Sequence, residues 1–208
     1  MNLKEKISTH LKNNLGLYLV LTAIYVAGVV FGALGVGALQ PEHQKDLAGF
    51  IQKSFTELTT SAPQGTLIDL LWENLKVIVA VYVLGMSIIG MPLIFVILFT
   101  RGFVMGFAVG FLVQSRAVQG IFLTLMTILP PSLINIPVLL ITSLWAINFS
   151  LCLVRGTKGW RGRDLTRQFV TYSGAIVVLA LFACFGALLQ GYLSPLMLKV
   201  VLAYASAQ

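Results

Sequence analysis

From Leu15 to Leu39 the chain carries no charged side chain. A run of that length matches the roughly 20 apolar residues an α-helix needs to cross a hydrocarbon core about 30 Å thick. Backbone polar groups find no water in lipid, so a spanning segment must satisfy them within itself, and a long unalternating apolar run does so as a helix. The run is too long for the apolar region of a signal peptide, and Gly35-Val36-Gly37 is a weak match to a cleavage site, so we read it as an uncleaved anchor. Further runs of this kind follow it. With 58% hydrophobic and 10% charged residues, against about 25% charged in a soluble domain, the chain is neither a water-soluble globule nor a disordered one. The expected fold is all-α: a single polytopic membrane domain over residues 1–208.

The 14 basic and 7 acidic residues give a net charge of +7, and their placement predicts topology. Lys4, Lys6 and Lys12 precede the first run, while Arg155, Lys158, Arg161, Arg163 and Arg167 crowd one short loop. Glu42, Asp46, Glu57, Asp69 and Glu73 outnumber Lys45 and Lys53 between residues 40 and 74. Lys and Arg beside span ends are retained in the cytoplasm. The N-terminus and the 155–168 loop are therefore expected inside, and segment 40–74 outside. Charge distributed in this way does not form a nucleic-acid-binding face, and no nucleic-acid partner is expected.

Five spans are expected, at about 15–39, 75–99, 102–118, 132–154 and 169–189. The first contains Gly28 and Gly32. In segment 40–74, Leu47, Phe50, Ile51, Phe55 and Leu58 recur at helical spacing, giving an amphipathic helix that covers the membrane surface or docks an external partner. Thr66 with Asp69 resembles a capping box for the next helix, and Trp72 suits an interfacial position. Pro92 is expected to kink the second span, and Arg101 to end it at the inner surface by snorkelling. Gly102, Gly106 and Gly110 fall every four residues on one helix face, where a second backbone can approach closely. The stretch from Gly120 to Leu129, followed by Pro130, Pro131, Asn135 and Pro137, predicts a broken or re-entrant helix near 120–137. Two readings of that break stand: a half-helix at the outer surface, or part of a transport site near the midplane. Asn148 is expected to bond between helices, and Cys152 and Cys184 to pack as small hydrophobes.

Catalysis is not expected. The sequence contains no G-x-x-x-x-G-K-[ST], H-E-x-x-H or G-x-S-x-G, and His10 and His43 fall on opposite sides of the expected membrane. No catalytic residue, cofactor or metal ligand is assigned. Every acid lies outside the expected spans or near their ends, which counts against ion-coupled transport.

Four stretches resemble one known family. They are Leu84-Gly85-Met86-Ser87-Ile88-Ile89-Gly90-Met91-Pro92, Arg101-Gly102-Phe103-Val104-Met105-Gly106-Phe107-Ala108-Val109-Gly110-Phe111-Leu112-Val113, Ile128-Leu129-Pro130-Pro131-Ser132-Leu133-Ile134-Asn135-Ile136-Pro137 and Ser150-Leu151-Cys152-Leu153-Val154-Arg155. They are similar to stage II sporulation protein M of endospore-forming bacteria, and the order of spans agrees. More distant relatives often show Pro-His-Gly-x-x-Glu-x-Pro where this chain runs from Pro130 to Pro137. Here Pro131 stands in place of the His and Asn135 in place of the Glu, so the break has no titratable group. The resemblance implies a multi-pass protein of the mother-cell membrane that acts in engulfment. It implies a non-enzymatic scaffold that recruits and localises stage II sporulation proteins D and P, which cut peptidoglycan. Membrane lipid and a second copy of the chain are further expected partners. A small-molecule or wall-precursor transporter or channel is the alternative.

Overall fold

The computed structural model describes residues 15–38, 49, 63–87, 89–127, 129–156 and 162–205, and every described element is helical. Five helices follow in order: α1 (Leu15–Gly37), α2 (Pro63–Gly85), α3 (Gly90–Thr127), α4 (Leu129–Gly156) and α5 (Gly162–Ala205). Four contain segments long and apolar enough to cross a membrane: Leu15–Gly37, Gly90–Gln114, Pro130–Leu153 and Gln168–Tyr192. The protein is a polytopic all-α membrane protein. Its burial pattern agrees, because Leu34, Leu133, Val170 and Leu181 are each at least 64% exposed. Such apolar surface is untenable in water and ordinary against lipid.

The helices alternate in direction. Tyr25, Val29 and Ala33 of α1 lie against Gly102, Gly106 and Gly110 of α3, so α1 and α3 run parallel. Leu67 and Leu70 of α2 meet Gly191 of α5, and Gly85 at the far end of α2 meets Tyr172, so these two helices are antiparallel. Asn135 of α4 meets Gly186 of α5, and Cys152 of α4 donates to Gln168 at 2.6 Å, another antiparallel pair. Thus α1, α3 and α5 run from a first face to a second, and α2 and α4 return. Although α2 carries Asp69, Glu73 and Lys76, it extends from Tyr172 to Gly191 alongside the apolar segment of α5. It packs against the spanning helices without being one of the four apolar segments.

This arrangement moves two expected boundaries. The expected span 75–99 is divided: α2 ends at Gly85 and α3 begins at Gly90. Met86 and Ser87 donate their amides to Val83 and Leu84 at 3.2 and 3.0 Å, and Gly90 donates to Ser87 at 3.1 Å. A Cβ on Gly90 would run into the Leu84 carbonyl, so this turn is available to glycine alone. Ser150 Oγ of α4 donates to the Ser87 carbonyl at 2.9 Å and ties the turn down. Pro92 is then the third residue of α3, where a missing N–H costs nothing, and the expected kink is replaced by this turn. Farther on, the expected boundary at 99–102 lies inside one continuous helix. Residues 120–127 also belong to α3, and α4 begins at Leu129 with Pro130 and Pro131 in its first turn. Pro137 lies inside α4 and cannot donate to the Leu133 carbonyl. The expected 155–168 loop is shorter too, since α4 extends to Gly156 and α5 starts at Gly162.

Because lipid tails are as apolar as leucine, the bundle is held by close packing and interhelical hydrogen bonds rather than by water exclusion. Leu21, Ile94, Leu98, Val81, Ile147 and Tyr172 are almost fully buried where the helices converge. Near the first face the Tyr172 ring stacks on Phe149 at 4.5 Å and on Tyr82 at 5.2 Å between centroids. Its hydroxyl donates to the Tyr82 carbonyl at 3.0 Å, and the Tyr82 and Ser173 hydroxyls share a bond of 3.0 Å.

Candidate functional site

The five glycines singled out by spacing meet in one seam. An added Cβ on Gly28 or Gly32 would strike the Phe99 or Phe103 carbonyl, and one on Gly102 or Gly106 the Tyr25 or Val29 carbonyl. Gly110 is slightly looser, with the Ala33 Cα at 3.1 Å from that position. Backbone is packed on backbone along three turns, the approach that small residues permit and that places Cα–H groups against carbonyls. Phe99, Phe103 and Phe107 stack along α3 beside it, with centroids 6.5 and 6.2 Å apart. The α3 glycine face is therefore covered by α1 of the same chain.

The opposite side of α3 lines a cavity of about 330 Å³. Three helical stripes form its walls: Leu70, Glu73, Asn74, Val77 and Ile78 on α2; Arg101, Val104, Met105 and Ala108 on α3; Ser132, Asn135, Ile136 and Leu139 on α4. The spacing i, i+3, i+4, i+7 is that of one helix face in each case. Tyr25, Val138, Ala183 and Gln190 complete the lining. Glu73, Arg101 and Val104 are exposed, so the cavity is a cleft whose mouth lies between α2 and α3.

The cation of the cleft lies at the middle of an apolar segment. Tyr25 is the eleventh of 23 residues in α1. Arg101 is the twelfth of 25 in the apolar segment of α3, and its neighbour Gly102 contacts Tyr25. The structure thus corrects the expectation that Arg101 ends a span at the inner surface. It also puts an acid, Glu73, on the wall of the same cleft, because the chain turns at Gly85–Gly90 and α2 packs back against α3. An arginine at a helix centre costs about 2.5–3.5 kcal/mol on insertion scales, and such residues face protein interiors or water-filled cavities. Among the described residues Arg101 makes no ion pair.

The remaining polar groups are placed by local bonds. Asn74 Nδ2 donates to the Leu70 carbonyl at 2.9 Å within α2, and Tyr25 Oη donates to Met105 Sδ at 3.0 Å. Asn135 Oδ1 is buried without a hydrogen-bond donor. It lies against Gly186 where a Cβ would be, so a glycine Cα–H, worth roughly 0.5–1 kcal/mol, is its contact there. Of Pro92, Pro130, Pro131, Asn135 and Pro137, singled out for the expected helix break, Asn135 lines the cleft, beside Ser132 and Ile136. Pro130 borders α4 at its start, Pro131 is buried, and Pro92 and Pro137 face outward. Leu47, Phe50, Ile51, Phe55 and Leu58, the expected external docking face, lie outside the described residues, as do Lys4, Lys6 and Lys12. Among the described residues no group of three His, Cys, Asp or Glu side chains could hold a metal.

The cleft was the feature hardest to see in the sequence. Its signal is a polar residue on the same stripe of three separate helices: Glu73 with Asn74, Arg101, and Ser132 with Asn135. That signal becomes visible only once α2 is known to pack against α3 and α4.

The family model described as SpoIIM, stage II sporulation protein M, matches residues 21–195. The chain belongs to the stage II sporulation protein M family. The match begins within α1 and ends within α5, so it includes the glycine seam and the whole cleft. Membership makes this a sporulation membrane protein, in a family not known for enzymes. No curated protein and no solved structure matches the chain.

Proposed function

We propose that this chain is a non-enzymatic scaffold of the engulfment machinery, seated in the mother-cell membrane with its N-terminus in the cytoplasm. Its task in this reading is to recruit and localise the peptidoglycan-degrading sporulation proteins D and P. The observation that carries the reading is family membership over residues 21–195. The multi-pass bundle supports it by supplying a rigid lipid-embedded body. The glycine seam does not supply the partner surface, since α1 already covers it. Partner contact is assigned instead to segment 40–74 and to the lipid-facing ridges of the bundle.

Crosslinking in sporulating cells tests the reading. The tagged chain is expected to recover D and P together, and replacing Phe50, Ile51 and Phe55 by Ser is expected to lose them while the chain still reaches the membrane. Normal engulfment without recovery of either protein would overturn it. Orientation is tested separately. A reporter after Thr157 is expected in the cytoplasm and one at Ser61 outside.

The polar cleft favours a second reading, passage of a small molecule or wall precursor. A volume of about 330 Å³ lies at the lower end of ligand pockets, roughly 300–1,000 Å³. It suits a small solute better than a lipid-linked glycan. Flux in reconstituted vesicles that disappears on changing Asn135 would favour transport over scaffolding.

A further inference from the structure

The cleft holds one cation and one anion, Arg101 and Glu73, with amides from Asn74 and Asn135 on the same walls. The two charges are not joined in an ion pair among the described residues. Separated opposite charges in a low-dielectric setting are costly unless each has a partner. A simple anion would satisfy Arg101 and be repelled by Glu73. A simple cation would meet the reverse. A molecule with both charges and no net charge satisfies both walls, and the cleft keeps its overall neutrality when occupied.

We infer that this cleft binds a small zwitterion, with its carboxylate or phosphate on Arg101 and its ammonium on Glu73. The volume of about 330 Å³ admits a molecule of amino-acid or phosphoethanolamine size. The mouth between α2 and α3 is bordered by Val104, 59% exposed, so the same chemistry can arrive as a free solute or as a lipid headgroup entering sideways. This inference is independent of the scaffold reading.

The test uses the full chain, purified in mild detergent. In one arm, native mass spectrometry compares retention of phosphatidylethanolamine with that of phosphatidylglycerol. In the other, melting is followed with free glycerophosphoethanolamine, a net-neutral phosphodiester, and with glycine and alanine. Preferential retention of phosphatidylethanolamine assigns the headgroup, and a melting shift with a free zwitterion assigns the solute. Either result supports the site. Arg101→Met and Glu73→Gln are each expected to weaken binding at least tenfold. Arg101→Met should leave the unliganded melting temperature unchanged or raised, which a structural ion-pair role would not allow. Val104→Trp narrows the mouth and touches neither charge, and it too is expected to abolish binding. The proposal is overturned if neither arm shows binding, or if binding survives all three substitutions.

Discussion

Adjacent residues on α3 serve opposite purposes. Gly102, Gly106 and Gly110 face α1, where carbonyls and Cα atoms occupy the space a side chain would need. Arg101, Val104 and Met105, on the opposite side, line an open cleft. On one side the helix gives up side chains so that two backbones can lock. On the other it retains a charge that lipid would not tolerate. The comparison teaches that in a bilayer the absence of side chains is a means of holding helices together, whereas polar residues mark the places where helices are held apart.

The sharpest way to break this comparison is to add bulk to the seam. Gly106→Leu places a Cβ within 2.7 Å of the Val29 Cα and closer still to its carbonyl. Backbone cannot yield as a flexible side chain can, so we expect a loss of about 3 kcal/mol or more in unfolding from bicelles, at or beyond the upper end of ordinary overpacking. A wild-type unfolding curve would show that α1 and α3 are not packed as described. Removing the Arg101 charge should have the opposite sign. Arg101→Met is expected to stabilise the bundle by up to about 2.5 kcal/mol, the insertion cost of a central arginine, in the same assay. Destabilisation would mean that the guanidinium holds the fold together.

Smaller effects sharpen the account. Tyr172→Phe removes the bond to the Tyr82 carbonyl but keeps the aromatic stack, and about 0.6 kcal/mol is expected, the average for an interhelical bond in a membrane. Gly186→Ala would press on the Asn135 carboxamide, a side chain that can move. It is therefore expected to cost less than any seam substitution while altering ligand retention by the cleft. Gly174 has nothing within 4 Å of an added Cβ. Gly174→Ala is expected to be neutral or to stabilise by roughly 0.5–1 kcal/mol through helix propensity alone, which separates glycines that are needed from those that are not.

Much of the architecture was legible in the sequence. The uncharged run from Leu15 gives a spanning helix by length alone, and the four-residue glycine spacing places Gly102, Gly106 and Gly110 on one face. The partner of that face was not legible, because Gly28 and Gly32 sit some 70 residues away in sequence and spacing carries no information about which helices meet. The place of α2 in the bundle was hidden by its own composition. Asp69, Glu73 and Lys76 make α2 look like surface, and the apolar residues on either side of Gly85–Gly90 read as one span. Hydropathy reports how apolar a window is, not where the chain turns. The turn depends on a close approach at Gly90 and on the Ser150 bond to Ser87, and these are tertiary facts. Once the turn shifts, Arg101 moves from a span end to a span centre, and the cleft follows from that move.

The depth of residue 101 therefore tests the central claim most directly. With Arg101→Cys carrying a fluorophore in a chain whose native Cys152 and Cys184 are replaced by Ala, quenching is compared among lipids bearing spin labels at the headgroup, near the carbonyls and at mid-chain. The structure predicts strongest quenching by the mid-chain label. Strongest quenching by the headgroup label would place residue 101 at the membrane surface and contradict the alignment of α1, α2 and α3 on which the cleft depends.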